Sequence, residues 1–198
     1  LKGIPGLVFR SNGKIVKNPE ELIADLDSIP FPRWDLMPPT SYPKSPHGAF
    51  FRQFPYAAMY ATRGCPFPCT FCAASKVSGK SIRHRSLENI MEEIKLLRNN
   101  YGVKEIHFED DNFSVKKKLL VEFCETLLKE DLNLTWCFPN GLRLEMLDLN
   151  DLRLMRRAGC YAVNVGVESG SDRILKRMKK GITTEKMRES IARVKRAG

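Results

Sequence analysis

From residue 56 onward, short apolar runs alternate with segments in which apolar side chains recur every three to four residues. The runs over 56–62, 103–108, 132–138 and 161–167 read as strands. Between the first two, Leu87, Ile90, Met91, Ile94 and Leu97 follow the helical period behind a Ser86 cap, and Gly102 closes the segment. Leu119, Leu120, Phe123 and Leu127 repeat the pattern behind Ser114. Leu152, Met155 and Ala158 repeat it behind Asn150, closed by Gly159. Residues 171–180 and 184–196 read as two more helices, the second with Met187, Ile191 and Val194 on one face. Such alternation predicts parallel strands joined by right-handed crossovers. Four β/α units cannot close a barrel, and Arg196-Ala197-Gly198 falls where a helix leads into a fifth strand. The expected fold class is therefore α/β, a partial (β/α) TIM-type barrel whose remainder lies outside this chain.

Residues 1–55 follow another pattern. They hold nine of the twelve prolines. Residues 7–10 and 14–16 flank Ser11-Asn12-Gly13, which suits a hairpin because Asn-Gly accepts positive φ. Residues 19–27 predict one short helix. The Pro-rich stretch after it can join neither a helix nor a central strand, so it is expected to wrap a neighbouring surface as a strap. The division is a lead-in over 1–55 and the first part of a catalytic core over 56–198.

Composition narrows the function classes. Apolar residues at 42% and charged residues at 28% fit a globular chain. No apolar run approaches the ~20 residues of a membrane-spanning helix, and no basic-then-apolar leader is visible at Leu1. The net charge of +10 suggests nucleic acid, but much of it lies in residues 171–198 on helices with apolar opposite faces. No aromatic side chain is interleaved there to stack on bases, so a solvated face is the better reading and a nucleic-acid partner is not expected.

Of the six cysteines, Cys124, Cys137 and Cys160 sit singly in apolar patterns, whereas Cys65, Cys69 and Cys72 crowd together. This is not a secreted disulfide framework, and it suits a reducing cytoplasm. The crowded three stand in Gly64-Cys65-Pro66-Phe67-Pro68-Cys69-Thr70-Phe71-Cys72, directly after the first strand. Pro66 and Pro68 disfavour a helix, so the segment is expected to curl as a loop and turn three thiolates onto one centre. Thiolates suit iron–sulfur clusters and zinc. A zinc-binding nucleic-acid module would need a fourth ligand, His84 being nearest. A non-enzymatic iron–sulfur electron carrier would need a fourth cysteine close by.

The C-x3-C-x2-C spacing after a first strand, with an aromatic residue (Phe71) before the last cysteine, resembles the cysteine loop of the radical S-adenosylmethionine (SAM) superfamily. The resemblance covers residues 56–198. It implies that Cys65, Cys69 and Cys72 ligate three irons of a [4Fe-4S] cluster, while SAM chelates the fourth. It also implies reductive cleavage of SAM to a 5′-deoxyadenosyl radical, with an electron donor such as flavodoxin or ferredoxin and a small-molecule substrate. Asp110 and Asp111 follow the second strand where many members carry Gly-Gly-Glu-Pro, so either is a positional substitute there, a solvated acidic loop being the alternative. Arg143 follows the third strand and suits a carboxylate, or is a plain surface arginine. Glu168 and Ser169 lie in Gly166-Val167-Glu168-Ser169-Gly170, similar to a SAM-approaching stretch of the family, and Glu168 ends an apolar run where an unpaired carboxylate is costly. Arg83, His84 and Arg85 are left without a role. Gly3-Ile4-Pro5-Gly6-Leu7 with Asn12-Gly13, then residues 26–32, is similar to the stretch joining a cobalamin-binding domain to the barrel in methyltransferases and in anaerobic magnesium-protoporphyrin monomethyl ester cyclases. The cobalamin-dependent group is thus implied, with cobalamin bound by a domain not in this chain.

Overall fold

The computed structural model describes residues 1–46 and 49–198. The chain opens with a hairpin of β1 (Val8–Ser11) and β2 (Lys14–Lys17), turned by Asn12 and Gly13 at φ of 48° and 75°. Both turn residues thus take the positive φ that Asn-Gly tolerates best. The helix expected over 19–27 does not form. Arg83 Nη1 donates to the Ile23 carbonyl at 2.6 Å, and the Asp25 carboxylate takes the Asp27 N–H at 3.0 Å. So short a segment cannot hold a helix against those competing bonds.

The core follows as β3 (Tyr56–Met59), β4 (Thr62–Arg63), α1 (Ala74–Val77), β5 (Arg83–His84), α2 (Leu87–Tyr101), β6 (Glu105–Phe108) and α3 (Lys117–Glu130). It continues with β7 (Thr135–Phe138), α4 (Leu149–Arg157), β8 (Cys160–Val163), α5 (Asp172–Arg177) and α6 (Thr184–Ala197). The strands β3, β6, β7 and β8 lie in that order in one parallel sheet, as the alternation predicts. The chain is α/β, with the four-stranded parallel sheet of a partial TIM-type barrel.

Element ends differ from the apolar runs for local reasons. The first strand stops at Met59 rather than 62, because Asp110 draws off the Ala61 and Thr62 amides. The fourth stops at Val163 rather than 167, where the Asn164 side chain turns to the Pro139 carbonyl at 2.6 Å. The α4 cap is Asp148 in a reciprocal box with Asp151, not Asn150. Ser114 is buried with its hydroxyl on Asn112 Oδ1, so a 3-10 turn precedes α3 instead of a Ser114 cap.

Alternation along the strands gives the sheet two unlike faces. Ala57, Met59, Ile106, Phe108, Trp136 and Phe138 join the helices in the apolar core. Phe108 lies at its centre, its ring 5.3–6.0 Å from those of Phe113, Phe123, Phe138 and Trp136. Each such pair adds about 0.5–1.5 kcal/mol beyond area burial. The other face carries Tyr56, Glu105, His107 and Cys137, and the Pro-rich lead-in crosses it. Glu105 accepts the Arg52 and Gln53 amides at 2.9 and 2.7 Å. The lead-in is clamped on its other side by Trp34 Nε1–H on Glu93 Oε1 at 3.0 Å and by Arg85 stacked over Phe31. Arg83 and Arg85 therefore serve as anchors for the lead-in.

Candidate functional site

The cysteine loop is an excursion pinched at its base. β4 and β5 pair antiparallel, Thr62 with His84 and Arg63 with Arg83, so residues 64–82 leave and return through one narrow neck. Gly64 starts the excursion at φ 100°, and a Cβ there would stand 2.4 Å from the Ser81 carbonyl oxygen. Only glycine fits. Cys65 N–H then donates to the Gly79 carbonyl at 3.0 Å, joining the two arms.

Two neighbouring carboxylates fix the root of this loop from the end of β6. Asp110 is buried and accepts from the Ala61 amide (3.2 Å), the Thr62 hydroxyl (2.6 Å) and the Thr62 amide. Burial pushes its pKa up to about 6, against the lowering by those bonds. Asp111 Oδ2 accepts the Gly64 amide at 3.3 Å. The structure thus gives Asp110 an internal anchoring task and leaves Asp111 beside the cysteine loop. Neither is the freely solvated acid of the alternative reading.

Cys65 and Cys69 are half-buried and Cys72 is exposed. Burial pushes the Cys65 thiol up, with the Asp111 charge adding to it. Pro66 and Pro68 keep the backbone out of a helix until α1, and Cys72 Sγ accepts the Ala74 amide at 3.4 Å. The three sulfurs do not converge within 4.8 Å as ligands of one ion would; among the described residues only Glu105, His107 and Cys137 offer such a group. That second group is already used as a hydrogen-bond hub. The Glu105 carboxylate also takes His107 Nε2–H at 2.8 Å, Tyr161 O–H at 2.7 Å and Thr135 O–H at 2.8 Å. Burial acts to raise its pKa, but those donors and the Gln53 amide carry it below the ordinary value. Cys137 and Cys124 are buried thiols pushed up to about 12 by desolvation, and Cys160 is pushed up likewise. All three stay protonated near neutrality, unlike a metal-ligating thiolate.

The opposite wall of the cysteine loop comes from the third and fourth β/α units. The Met178 carbonyl accepts the Thr70 amide at 3.0 Å. Arg143 places its guanidinium 4.0 Å over the Phe67 ring, donates to the Lys180 carbonyl at 2.6 Å, and pairs with Glu145 at 2.6 Å. It is committed to packing this wall, not held as a plain surface charge. Glu168 lies past the end of β8, exposed, at φ 58°, with Oε1 bonded to Lys180 Nζ at 2.9 Å. The apolar run does not deliver it unpaired at a buried strand end, as its sequence position suggested. Lys180 Nζ also stands 5.7 Å from the Phe71 ring, which is 51% exposed. Ser169 Oγ accepts the Ser171 amide at 3.1 Å. The structure therefore brings Phe71, Glu168 and Arg143 to the cysteine loop through Lys180, a residue the sequence reading grouped with the solvated helix charge.

Comparison with known proteins agrees with this geometry. The family model described as the radical SAM superfamily matches residues 59–198. An uncharacterized methyltransferase of Pyrococcus horikoshii is 35% identical over 100% of this chain and 41% of its own length. The anaerobic magnesium-protoporphyrin IX monomethyl ester cyclase of Synechocystis is 28% identical over 96% of this chain and 37% of its own. Among solved structures, the cobalamin-dependent SAM radical enzyme OxsB with aqua-cobalamin bound superposes with a TM-score of 0.78. It does so at 22% identity over 100% of this chain and 29% of its own, which bears on the fold alone. This chain thus spans less than half the length of these relatives.

Proposed function

Because the chain belongs to the radical SAM superfamily, an enzyme family, we propose that Cys65, Cys69 and Cys72 ligate three irons of a [4Fe-4S] cluster within a cobalamin-dependent enzyme. The observation that carries this reading is the pinched C-x3-C-x2-C loop at the ends of the parallel strands. When bound, the cluster supplies the electron for reductive cleavage of SAM.

The chain's own residues then bind, orient and shield. Glu168 has Oε1 held by Lys180, which leaves Oε2 to accept from a hydroxyl or ammonium of SAM. Ser169 sits beside it to complete that contact. Phe71 covers the outer side of the cysteine loop, and Arg143 fixes the loop from the other side through Phe67. Asp111 keeps Gly64 in place and lends one carboxylate oxygen to the rim, while Asp110 anchors the chain leading into it. The reaction of the whole protein is methyl transfer or oxidative cyclisation on a small-molecule substrate, with cobalamin held outside residues 1–198. The electron donor is a flavodoxin or ferredoxin. The free thiols suit a reducing cytoplasm, and no helix among the described residues is long and apolar enough to cross a membrane.

Anaerobic reconstitution of the full-length protein with iron and sulfide, then SAM and dithionite, tests the reading. Formation of 5′-deoxyadenosine or S-adenosylhomocysteine is expected. Neither product from a protein carrying its full iron complement would leave an iron–sulfur electron carrier in its place.

A further inference from the structure

The lead-in does more than cross the sheet. Residues 22–27 run beside the returning arm of the cysteine loop and touch it at three points, in the same order along both segments. Leu22 covers Gly79 so closely that a Cβ there would stand 2.5 Å from Leu22 Cδ1. The Ile23 carbonyl accepts Arg83 Nη1–H at 2.6 Å. The Asp27 carboxylate accepts the Ser86 amide at 2.9 Å, where the arm passes into α2.

Arg83 is the joint between the two. Its Nη2–H donates to the Ser78 carbonyl at 2.7 Å, so one guanidinium bridges a lead-in carbonyl and a loop carbonyl. Both bonds are charge-assisted, and the planar fork fixes the angle between them. Ser78 adjoins Gly79, whose carbonyl accepts the Cys65 amide at 3.0 Å. The contacts thus run from Ile23 through Arg83 and Ser78-Gly79 to the first cysteine. Among the described residues, Arg83 supplies the one hydrogen bond that reaches residues 73–80 from beyond 64–82. The outgoing arm has other supports: Asp111 on Gly64, Met178 on Thr70 and Arg143 on Phe67. Above its neck, the returning arm takes its place from the lead-in.

We propose that residues 22–27 splint the returning arm, and that Arg83 is a positioning residue that couples the lead-in to Cys65. The inference rests on the cluster assignment above and adds what holds the first cysteine in register with Cys69 and Cys72. A ligand set works only when its supporting contacts hold it to a fraction of an ångström. A displacement of the lead-in is therefore passed to the cysteine loop, which makes residues 22–27 a control point for the geometry of the site.

The test compares full-length Arg83→Met with the unaltered protein and with Trp34→Phe, which loses the bond to Glu93 and loosens the lead-in away from the loop. Hydrogen exchange is measured first, on the iron-free proteins. Arg83→Met should speed exchange over residues 64–80 roughly tenfold, the equivalent of about 1.4 kcal/mol of local opening, with β6 and β7 unchanged. Leu22→Ala, a milder change on the same path, should speed the same residues less. After reconstitution and reduction with dithionite, electron paramagnetic resonance with SAM present should show shifted or broadened g-values in Arg83→Met. Trp34→Phe should keep the wild-type spectrum. Wild-type exchange over 64–80, or a wild-type spectrum, in Arg83→Met overturns the proposal. So does faster exchange spread evenly over β6 and β7, or a matching spectral change in Trp34→Phe, since either would mark a general loss of stability. Failure of the cluster assignment looks different: the unaltered protein would then retain no iron, whatever the exchange rates.

Discussion

Asp110→Asn tests how the second strand's end supports the cysteine loop. The carboxylate is buried, accepts three hydrogen bonds from Ala61 and Thr62, and titrates near 6 instead of the ordinary 3.8. In the asparagine variant one acceptor becomes an amide N–H facing the Ala61 amide, costing about 1–3 kcal/mol for an unsatisfied buried donor. Removing a buried charge offsets this at pH 7, so the two proteins should then differ by no more than about 2 kcal/mol. Acid separates them. A folded pKa above the unfolded one means that the native state binds the proton more tightly, so Asp110 gains stability as pH falls from about 6 toward 3.8. A shift of about two units is worth about 3 kcal/mol in full, of which about 2 kcal/mol is realised by pH 4. Urea unfolding of both proteins at pH 7, 5.5 and 4 reads the difference, with other titrations cancelling. The wild type's advantage should widen by about 2 kcal/mol. A constant or narrowing gap would refute the buried-carboxylate argument.

Other substitutions probe the site at single points. Alanine at Cys65, Cys69 or Cys72 should abolish iron retention, whereas alanine at Cys124, Cys137 or Cys160 should leave iron content near the wild type; equal loss across all six would sink the assignment. Gly64→Ala forces a Cβ to within 2.4 Å of the Ser81 carbonyl, so iron loading should collapse while the far-UV spectrum stays native, and full loading would show that the neck is not strained. Glu168→Gln should weaken SAM binding roughly tenfold, the equivalent of about 1.4 kcal/mol, with iron unchanged. Unaltered affinity in a titration would return Glu168 to structural pairing with Lys180.

The strands and helices of the core were legible because each apolar run or stripe has one face to bury, and periodicity reports that directly. Residues 19–27 were not, because the bond that defeats the helix comes from Arg83, far along the chain. The three cysteines declared themselves through spacing and the two prolines. Lys180 did not, since a lysine in a basic helical segment carries no local sign that its ammonium turns onto Glu168. Glu105 was hidden in the same way: it reads as one polar residue in an apolar strand, and only the fold gathers five donors around it. A lone acid inside a strand bound for a buried sheet is the signal that would have found it.

The central claim is that Cys65, Cys69 and Cys72 hold a cluster with one iron open to SAM. Electron paramagnetic resonance of the dithionite-reduced, full-length protein, recorded with and without SAM, addresses it most directly. The account predicts the signal of a reduced [4Fe-4S] cluster whose g-values shift when SAM is added, and no such signal in the Cys72→Ala variant. A signal that SAM leaves unmoved, or one that survives loss of Cys72, would contradict it.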